Sequence, residues 1–259
     1  MTTTWDPALY LKFNAERTRP AADLLAHVHL DAPRFVVDLG CGPGNSTALL
    51  RARYPQADIL GVDSSTAMLE DAAKSGVPAR WAEGNFDTWT PEAQPDLIYA
   101  NAAFQWSDDP VALVKRLYAM LAPGGALAFQ VPQNFDQPSH TSVRAVIESG
   151  VWAEKLKAAR QYDPGFAKAP DYARALAPLS AGLDIWTSEY FHILEGPDPV
   201  FRWMSGTGLR PFVQALEGAE RMAFEDAVRK RLGEAYPTEH DGRTFFPFLR
   251  LFVIATKPG

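Results

Sequence analysis

The sequence of 259 residues predicts a doubly wound α/β fold: a mainly parallel, seven-stranded sheet with an antiparallel edge and a helical cover. Three observations predict it. Short β-rich runs alternate with helical stretches over residues 34–131, the order of right-handed βαβ units. A glycine cluster, Gly40-Cys41-Gly42-Pro43-Gly44, stands where the first strand hands over to a helix. Beyond Val131 the pattern changes to aromatic-rich helical segments that enclose two late β-like runs.

The elements follow in order. Residues 34–39 form a buried strand, and 45–54 a helix stopped by Pro55. A second strand covers 58–62. The helix over 65–75 takes Ser64 or Ser65 as its N-cap and stops at Gly76. Residues 79–82 make a short third strand and 96–100 a fourth. Over 111–121, Val111, Val114, Leu117, Tyr118 and Leu121 share one helical face, and Pro123-Gly124-Gly125 ends it. The fifth strand covers 126–131. Residues 141–159 and 199–236 are mostly helical. The late runs 184–193 and 248–256 are expected to close the sheet as an antiparallel edge. No Pro/Gly/Ser linker separates the halves, so one domain is expected over 1–259. Its ligand-binding core covers about 30–135, and its cover comes from about 1–25, 136–180 and 197–240.

Composition narrows the function classes. Hydrophobic residues at 47% and charged residues at 22% match an ordinary globular protein. No apolar run approaches the roughly 18–20 residues that cross a bilayer. The N-terminal residues lack the basic-then-apolar pattern of a secretory signal. Cys41 is the one cysteine, so an internal disulfide is excluded and a reducing cytoplasm fits. A net charge of -6 argues against nucleic acid as partner. It leaves room for a small anion in a local basic pocket. The sequence shows no His/Cys cluster with metal-ligand spacing and no obligate protein partner.

The strongest chemical signal is Val36-Val37-Asp38-Leu39-Gly40-Cys41-Gly42-Pro43-Gly44-Asn45-Ser46. Glycines at a strand-to-helix turn let the backbone approach a ligand beyond the carboxyl ends of the strands. Two details disfavour a dinucleotide. The third small position of that fingerprint is Asn45, and Asp38 would be a poor neighbour for a pyrophosphate. A P-loop is excluded, because no Gly-Lys-Ser/Thr follows. A carboxylate before the loop suits a ligand with an ammonium group and a sulfonium, as S-adenosylmethionine has. Asp63, ending the second strand, is placed to accept hydrogen bonds from ribose hydroxyls, with Ser64 beside it. In Glu83-Gly84-Asn85-Phe86-Asp87, Asn85 is placed for the adenine edge and Phe86 for its face. Asn101 follows the fourth strand, beside the methyl donor. The expected cofactor set is therefore Asp38, Gly40, Cys41, Gly42, Gly44, Asp63, Ser64, Asn85, Phe86 and Asn101. Cys41 belongs to it as a packing residue, not a nucleophile.

This pattern resembles the class I methyltransferases, whose sheet is Rossmann-like, over residues 34–131. A closer resemblance covers nearly the whole chain. Trp5-Asp6-Pro7…Tyr10…Phe13…Glu16-Arg17-Thr18-Arg19-Pro20, the loop from Asp38 to Thr47, Ala100-Asn101-Ala102…Gln105-Trp106 and Thr207-Gly208-Leu209-Arg210-Pro211 resemble the trans-aconitate 2-methyltransferases. The glycine motif marks only the cofactor; the first and last of these segments are more specific. One departure is Asn85, where related enzymes often carry Asp for the adenine amino group. The resemblance implies S-adenosyl-L-methionine as cofactor, S-adenosyl-L-homocysteine as product, and methyl esterification of one carboxylate of trans-aconitate.

That chemistry needs no catalytic side chain. A carboxylate is ionised at neutral pH, with a pKa near about 4, so the residues need only position it. Desolvating a multiply charged anion requires pairing, and the arginine fork suits carboxylates. Arg210 and then Arg17 are the leading candidates, followed by Arg144, with Arg19, Arg160 and Arg202 behind them. His140 is a possible donor to the acid, as is His192, and Tyr10 and Trp106 are candidate walls. Two rival readings stay open: a methyltransferase for another small or carrier-bound acid, and a nucleoside-binding protein without catalysis.

Overall fold

The computed structural model describes residues 14–157 and 166–259. A first helix, α1 (Asn14–Ala26), precedes β1 (Phe35–Leu39), α2 (Asn45–Arg53), β2 (Asp58–Asp63), α3 (Thr66–Lys74), β3 (Arg80–Glu83) and β4 (Leu97–Asn101). Then come a short 3-10 turn (Phe104–Trp106), α4 (Pro110–Ala119), β5 (Ala126–Pro132), α5 (Pro138–Ser149), α6 (Ala153–Leu156) and α7 (Ala169–Leu176). The chain ends with β6 (Gly182–Glu195), α8 (Pro199–Ser205), α9 (Arg210–Gln214), α10 (Gly218–Ala235) and β7 (Arg243–Thr256).

The seven strands form one sheet in the order β3-β2-β1-β4-β5-β7-β6. The first five are parallel. Their apolar, β-branched runs explain why. In β1 four of five residues are buried, and β4 is buried from Leu97 to Ala100, as strands covered on both faces require. β7 runs antiparallel to β5, from Ala126 opposite Thr256 to Pro132 opposite Arg250. β6 lies outside β7: Ala181 N donates to Thr256 O, Trp186 stacks on Phe252, and Phe191 meets Phe245. That register makes β6 antiparallel to β7. Burial explains which strand takes the edge. Leu251 to Ala255 of β7 are all buried, while Glu189, Phe191, Ile193 and Glu195 of β6 face outward in strict alternation.

Two late elements differ from expectation. β7 begins at Arg243, ahead of residue 248, because its alternating exposed and buried residues run straight through Pro247. The helix expected over 141–159 is split at Gly150, where a side chain would meet the Trp152 ring. It also starts earlier, with Pro138 in the first turn, where a missing N–H costs nothing.

The chain forms two compact units. One, the sheet unit, comprises Ala15–Pro132, Ala167–Ser188 and Arg250–Gly259. Its core joins Val37, Leu39, Ile98, Val114, Leu117 and Phe129 with Tyr172 and Leu176 of α7. Residues 167–180, expected in the cover, thus pack with the sheet. The other, the helical unit, is built from Gln133–Phe166 and Glu189–Leu249. Val143, Ile147, Trp203, Phe224, Val228 and Phe246 lie in its core. Among the described residues, no helix is long and apolar enough to cross a membrane.

The sheet order reverses direction between β1 and β4. Such a switch point, beyond the carboxyl ends of the strands, is where open α/β sheets bind ligands. The glycine loop follows β1 there, and Asn101 ends β4 there.

Candidate active site

The glycine loop is pinned to its neighbours on both sides. Gly40 N and Cys41 N both donate to Val62 O, at 2.8 and 3.0 Å, tying the loop to the end of β2. On the other side Gly40 touches the β4 loop so closely that a Cβ would lie 2.4 Å from the Ala103 Cβ. Its φ of +78° also lies where side chains are disfavoured. Gly42, at φ +54°, has nothing within 4 Å of the place a Cβ would occupy, so its face is open. Its N–H donates to Asp63 Oδ2 at 2.9 Å, while Asp63 Oδ1 accepts from Ser65 N at 2.9 Å. Asp63 is thereby fixed at the mouth of the loop with lone pairs to spare. Ser65 is the N-cap of α3, accepting from Met68 N, and Ser64 stands exposed between the two. Gly44 caps α2 against the Trp81 ring.

Asp38 is fully buried. Its Oδ2 accepts from Ser46 Oγ at 2.7 Å and Thr47 Oγ1 at 2.6 Å, but Oδ1 has no hydrogen-bond partner. Burial pushes its pKa up to about 6, with the two hydroxyls opposing and the Asp63 charge adding. Cys41 is buried at 3% exposure, and burial followed by the charges of Asp38 and Asp63 raises its thiol pKa. It packs beside Gly61, and the raised pKa disfavours the reactive thiolate.

Asn85 and Phe86 follow β3. The Asn85 side-chain oxygen already accepts from Asp87 N at 2.9 Å, so its free capacity lies in the amide N–H groups and one remaining lone pair. Phe86 meets Phe104 edge-on at 6.0 Å, and Arg116 holds the segment by donating to Phe86 O and Trp89 O. Asn101 is half-buried at the end of β4, and the next residue, Ala102, sits at φ +53°. A left-handed alanine is strained backbone beside a candidate site.

Two residues escaped sequence reasoning. Gln130 of β5 is fully buried; its Nε2 donates to Asn101 Oδ1, and its Oε1 accepts from Arg250 Nη1 at 3.1 Å. Both stand out as the polar members of apolar strands, Ala126-Leu127-Ala128-Phe129-Gln130-Val131 and Leu249-Arg250-Leu251-Phe252. That signal was available.

The acid-binding candidates divide. Trp106 is 40% exposed in the sheet unit. His140, Arg144 and Arg210 lie in the helical unit. Arg210 begins α9, is exposed, and its guanidinium makes no hydrogen bond or ion pair among the described residues. Arg144 Nη2 donates to Phe135 O at 2.7 Å. His140 Nε2 stands 3.3 Å from where a Gly208 Cβ would be, so the ring and the Thr207–Arg210 turn are neighbours. Gly208 is needed for that approach; its φ is ordinary. Burial, then the Arg144 charge, pushes His140 down to about 4, so at neutral pH it is an uncharged donor or acceptor. His192 packs on Trp203 at 4.5 Å inside the helical core, away from solvent. Arg19 pairs with Asp23 on the surface of α1. Arg202 packs against Gly196. Arg17 lies on α1 with its side chain outside the described part, and Tyr10 and Arg160 lie outside the described residues. Among the described residues no group of three or more His, Cys, Asp or Glu could hold a metal.

The residues at the switch point fit the expected cofactor. A buried, unpartnered carboxylate oxygen on Asp38 suits a cationic ligand, Asp63 keeps acceptors for a diol, and Gly42 leaves its face clear.

Comparison with known proteins bears on the whole chain. The methyltransferase domain family matches residues 36–125. The trans-aconitate 2-methyltransferase of Methylobacterium radiotolerans is 46% identical, covering 98% of each chain. That of Rhodopseudomonas palustris is 45% identical, covering 98% of this chain and 99% of its own, and that of Yersinia pestis 43%, covering 97% of each. Among solved structures, YcgJ from Bacillus subtilis shares the fold at a TM-score of 0.60 and 15% identity, covering 93% of this chain and 99% of its own. The plantazolicin methyltransferase BamL does so at 0.53 and 17%, covering 98% and 91%. On the strength of identity spanning both its units, the chain belongs to the trans-aconitate 2-methyltransferase family.

Proposed function

We propose that this chain methylates one carboxylate of trans-aconitate with S-adenosylmethionine, giving a monomethyl ester and S-adenosylhomocysteine. One observation carries the reading: the 46% identity runs over 98% of the chain and so includes the helical unit, where His140, Arg144 and Arg210 stand, beyond the cofactor region at 36–125. Fold likeness alone would support only a methyltransferase of unspecified substrate.

When bound, the cofactor supplies an electrophilic methyl group on a sulfonium. Asp63 accepts from its ribose hydroxyls, with Gly40, Gly42, Gly44 and Ser64 shaping the backbone around it. Asp38 compensates its positive charge, Asn85 and Phe86 take the adenine, and Asn101 stands at the end of β4. The acid arrives ionised, so no side chain need remove a proton. Arg210, with Arg17 and Arg144, pairs its carboxylates and offsets their desolvation. His140 offers a neutral N–H, and Tyr10 and Trp106 bound the acid. The protein works in the cytoplasm and needs neither metal nor obligate partner.

The test is a transfer assay with methyl-labelled S-adenosylmethionine against trans-aconitate, cis-aconitate, citrate, isocitrate and a long-chain fatty acid. The expected result is preferential turnover of trans-aconitate to a base-labile ester. Preference for another acid would reassign the substrate within the same chemistry. Cofactor binding without turnover of any acid would refute the reading.

A further inference from the structure

The fully buried Gln130 lies between one group that can only donate and one amide that can do either. Arg250 Nη1 approaches Gln130 Oε1 at 3.1 Å. A guanidinium has no acceptor, so the oxygen of Gln130 must face it. The Gln130 Nε2 is then obliged to face Asn101, and an amide nitrogen has only protons to offer. Asn101 must answer with its oxygen. Its NH₂ group is left over, and among the described residues Asn101 Nδ2 makes no hydrogen bond. The orientation of both amides follows from the chemistry of arginine alone.

We propose that Gln130 and Arg250 are positioning residues that fix the polarity of Asn101, so that it presents a hydrogen-bond donor at the end of β4 and selects an acceptor group, a carboxylate, over an amine or other donor. The proposal rests on the functional reading above for the identity of the carboxylate, but the amide polarity itself does not. A site amide free to rotate would accommodate either kind of acceptor substrate. Here the three residues lie on adjacent strands, β4, β5 and β7, in one unit. Arg250 is 5% exposed and Gln130 is fully buried, so water has little access to break the chain. Reversing Asn101 would set its NH₂ group against the NH₂ of Gln130, two donors with no acceptor between them.

The decisive variant is Gln130→Glu. Its carboxylate keeps the contact with Arg250, so the fold should hold, but it can only accept. Asn101 must then turn its NH₂ inward and its oxygen toward the site. With S-adenosylhomocysteine bound, the affinity for trans-aconitate measured by calorimetry should fall roughly tenfold or more, the size expected for facing a carboxylate with an acceptor. S-adenosylhomocysteine affinity should change by less than about threefold, since the loop residues are untouched. Asn101→Ala should weaken acid binding less than Gln130→Glu does, because it removes a donor without adding a repulsive oxygen. In the double variant the Gln130→Glu penalty should vanish, since it acts only through Asn101. Additive penalties would overturn the proposal, because a structural effect of the substitution would persist without Asn101.

A second readout needs no acid. In the ¹⁵N-labelled protein, the Gln130 side-chain amide protons should exchange slowly with solvent, and Asn101→Ala should shift one of them and speed its exchange. An unchanged amide signal would overturn the proposal. If the wild-type protein fails to bind trans-aconitate while the amide signals behave as stated, the substrate assignment fails and the polarity of Asn101 stands.

Discussion

Asp38, proposed to hold the cofactor, acts against the stability of its own fold. It is buried, half-satisfied by Ser46 and Thr47, and its pKa is raised from 3.8 to about 6. The folded protein therefore holds that proton more tightly than the unfolded chain. Ionisation penalises the fold progressively as pH rises from about 4 to 6, and fully above it. Two pKa units correspond to about 3 kcal/mol. Asp38→Asn should therefore raise the melting temperature by several degrees at pH 8 and by little at pH 4, in thermal melts without ligand. The same variant should bind S-adenosylmethionine less well. In the wild-type protein, binding of the cationic cofactor should tighten as pH rises through 6, and in Asp38→Asn it should not. At this scale the sequence was legible wherever a residue's place follows from a motif: Asp38, Gly40 and Asp63 stand where their spacing puts them. It was not legible for Asn85, whose oxygen is committed to Asp87 N through an Asx turn. Nor was the Asn101–Gln130–Arg250 chain, which joins residues 29 and 120 positions apart.

Elements explain why the loop tolerates no side chain at its first glycine. The β1 and β4 loops meet with Gly40 against Ala103, 2.4 Å from a would-be Cβ. Gly40→Ala adds that clash to an unfavourable φ, and should destabilise the protein by about 2–4 kcal/mol in urea unfolding. Adding Ala103→Gly should restore part of the loss, since it removes the clash but leaves the φ. A second such contact lies in the helical unit. Gly208→Ala would press on His140 Nε2, 3.3 Å from the new Cβ. It should raise KM for the acid severalfold while leaving KM for the cofactor within about twofold, as expected for local displacement of one wall. The parallel strands were legible because runs such as Phe35–Leu39 and Leu97–Asn101 are apolar throughout, bounded by turn residues. The late strands were less so. Pro247 interrupts β7, and β6 alternates charged with aromatic residues, so their ends and their places in the sheet depend on partners the local sequence does not name.

At the scale of the molecule, two apolar cores divide the chain and the proposed labour. The sheet unit carries Asp38, Asp63, Asn85 and Asn101; the helical unit carries His140, Arg144 and Arg210. The first set was readable from general rules, since the glycine loop and the strand ends obey one topology wherever they occur. The second was proposed from the place of His140 and Arg144 after the fifth strand and from the match of arginine to carboxylates, because an exposed arginine at the start of a short helix has no local signature of its ligand. Net charge at -6 fits this division: the acid has to be held by a few placed arginines, not by the field of the whole protein. Two-substrate initial-rate kinetics on Asp63→Ala and Arg210→Ala test the account most directly. Asp63→Ala should raise KM for S-adenosylmethionine about tenfold or more with KM for trans-aconitate little changed, and Arg210→Ala should do the reverse, each losing one charge-assisted contact. If both variants raise KM for the same substrate, or neither moves KM for trans-aconitate, the division of labour between the glycine-loop core and the arginine-bearing unit is wrong.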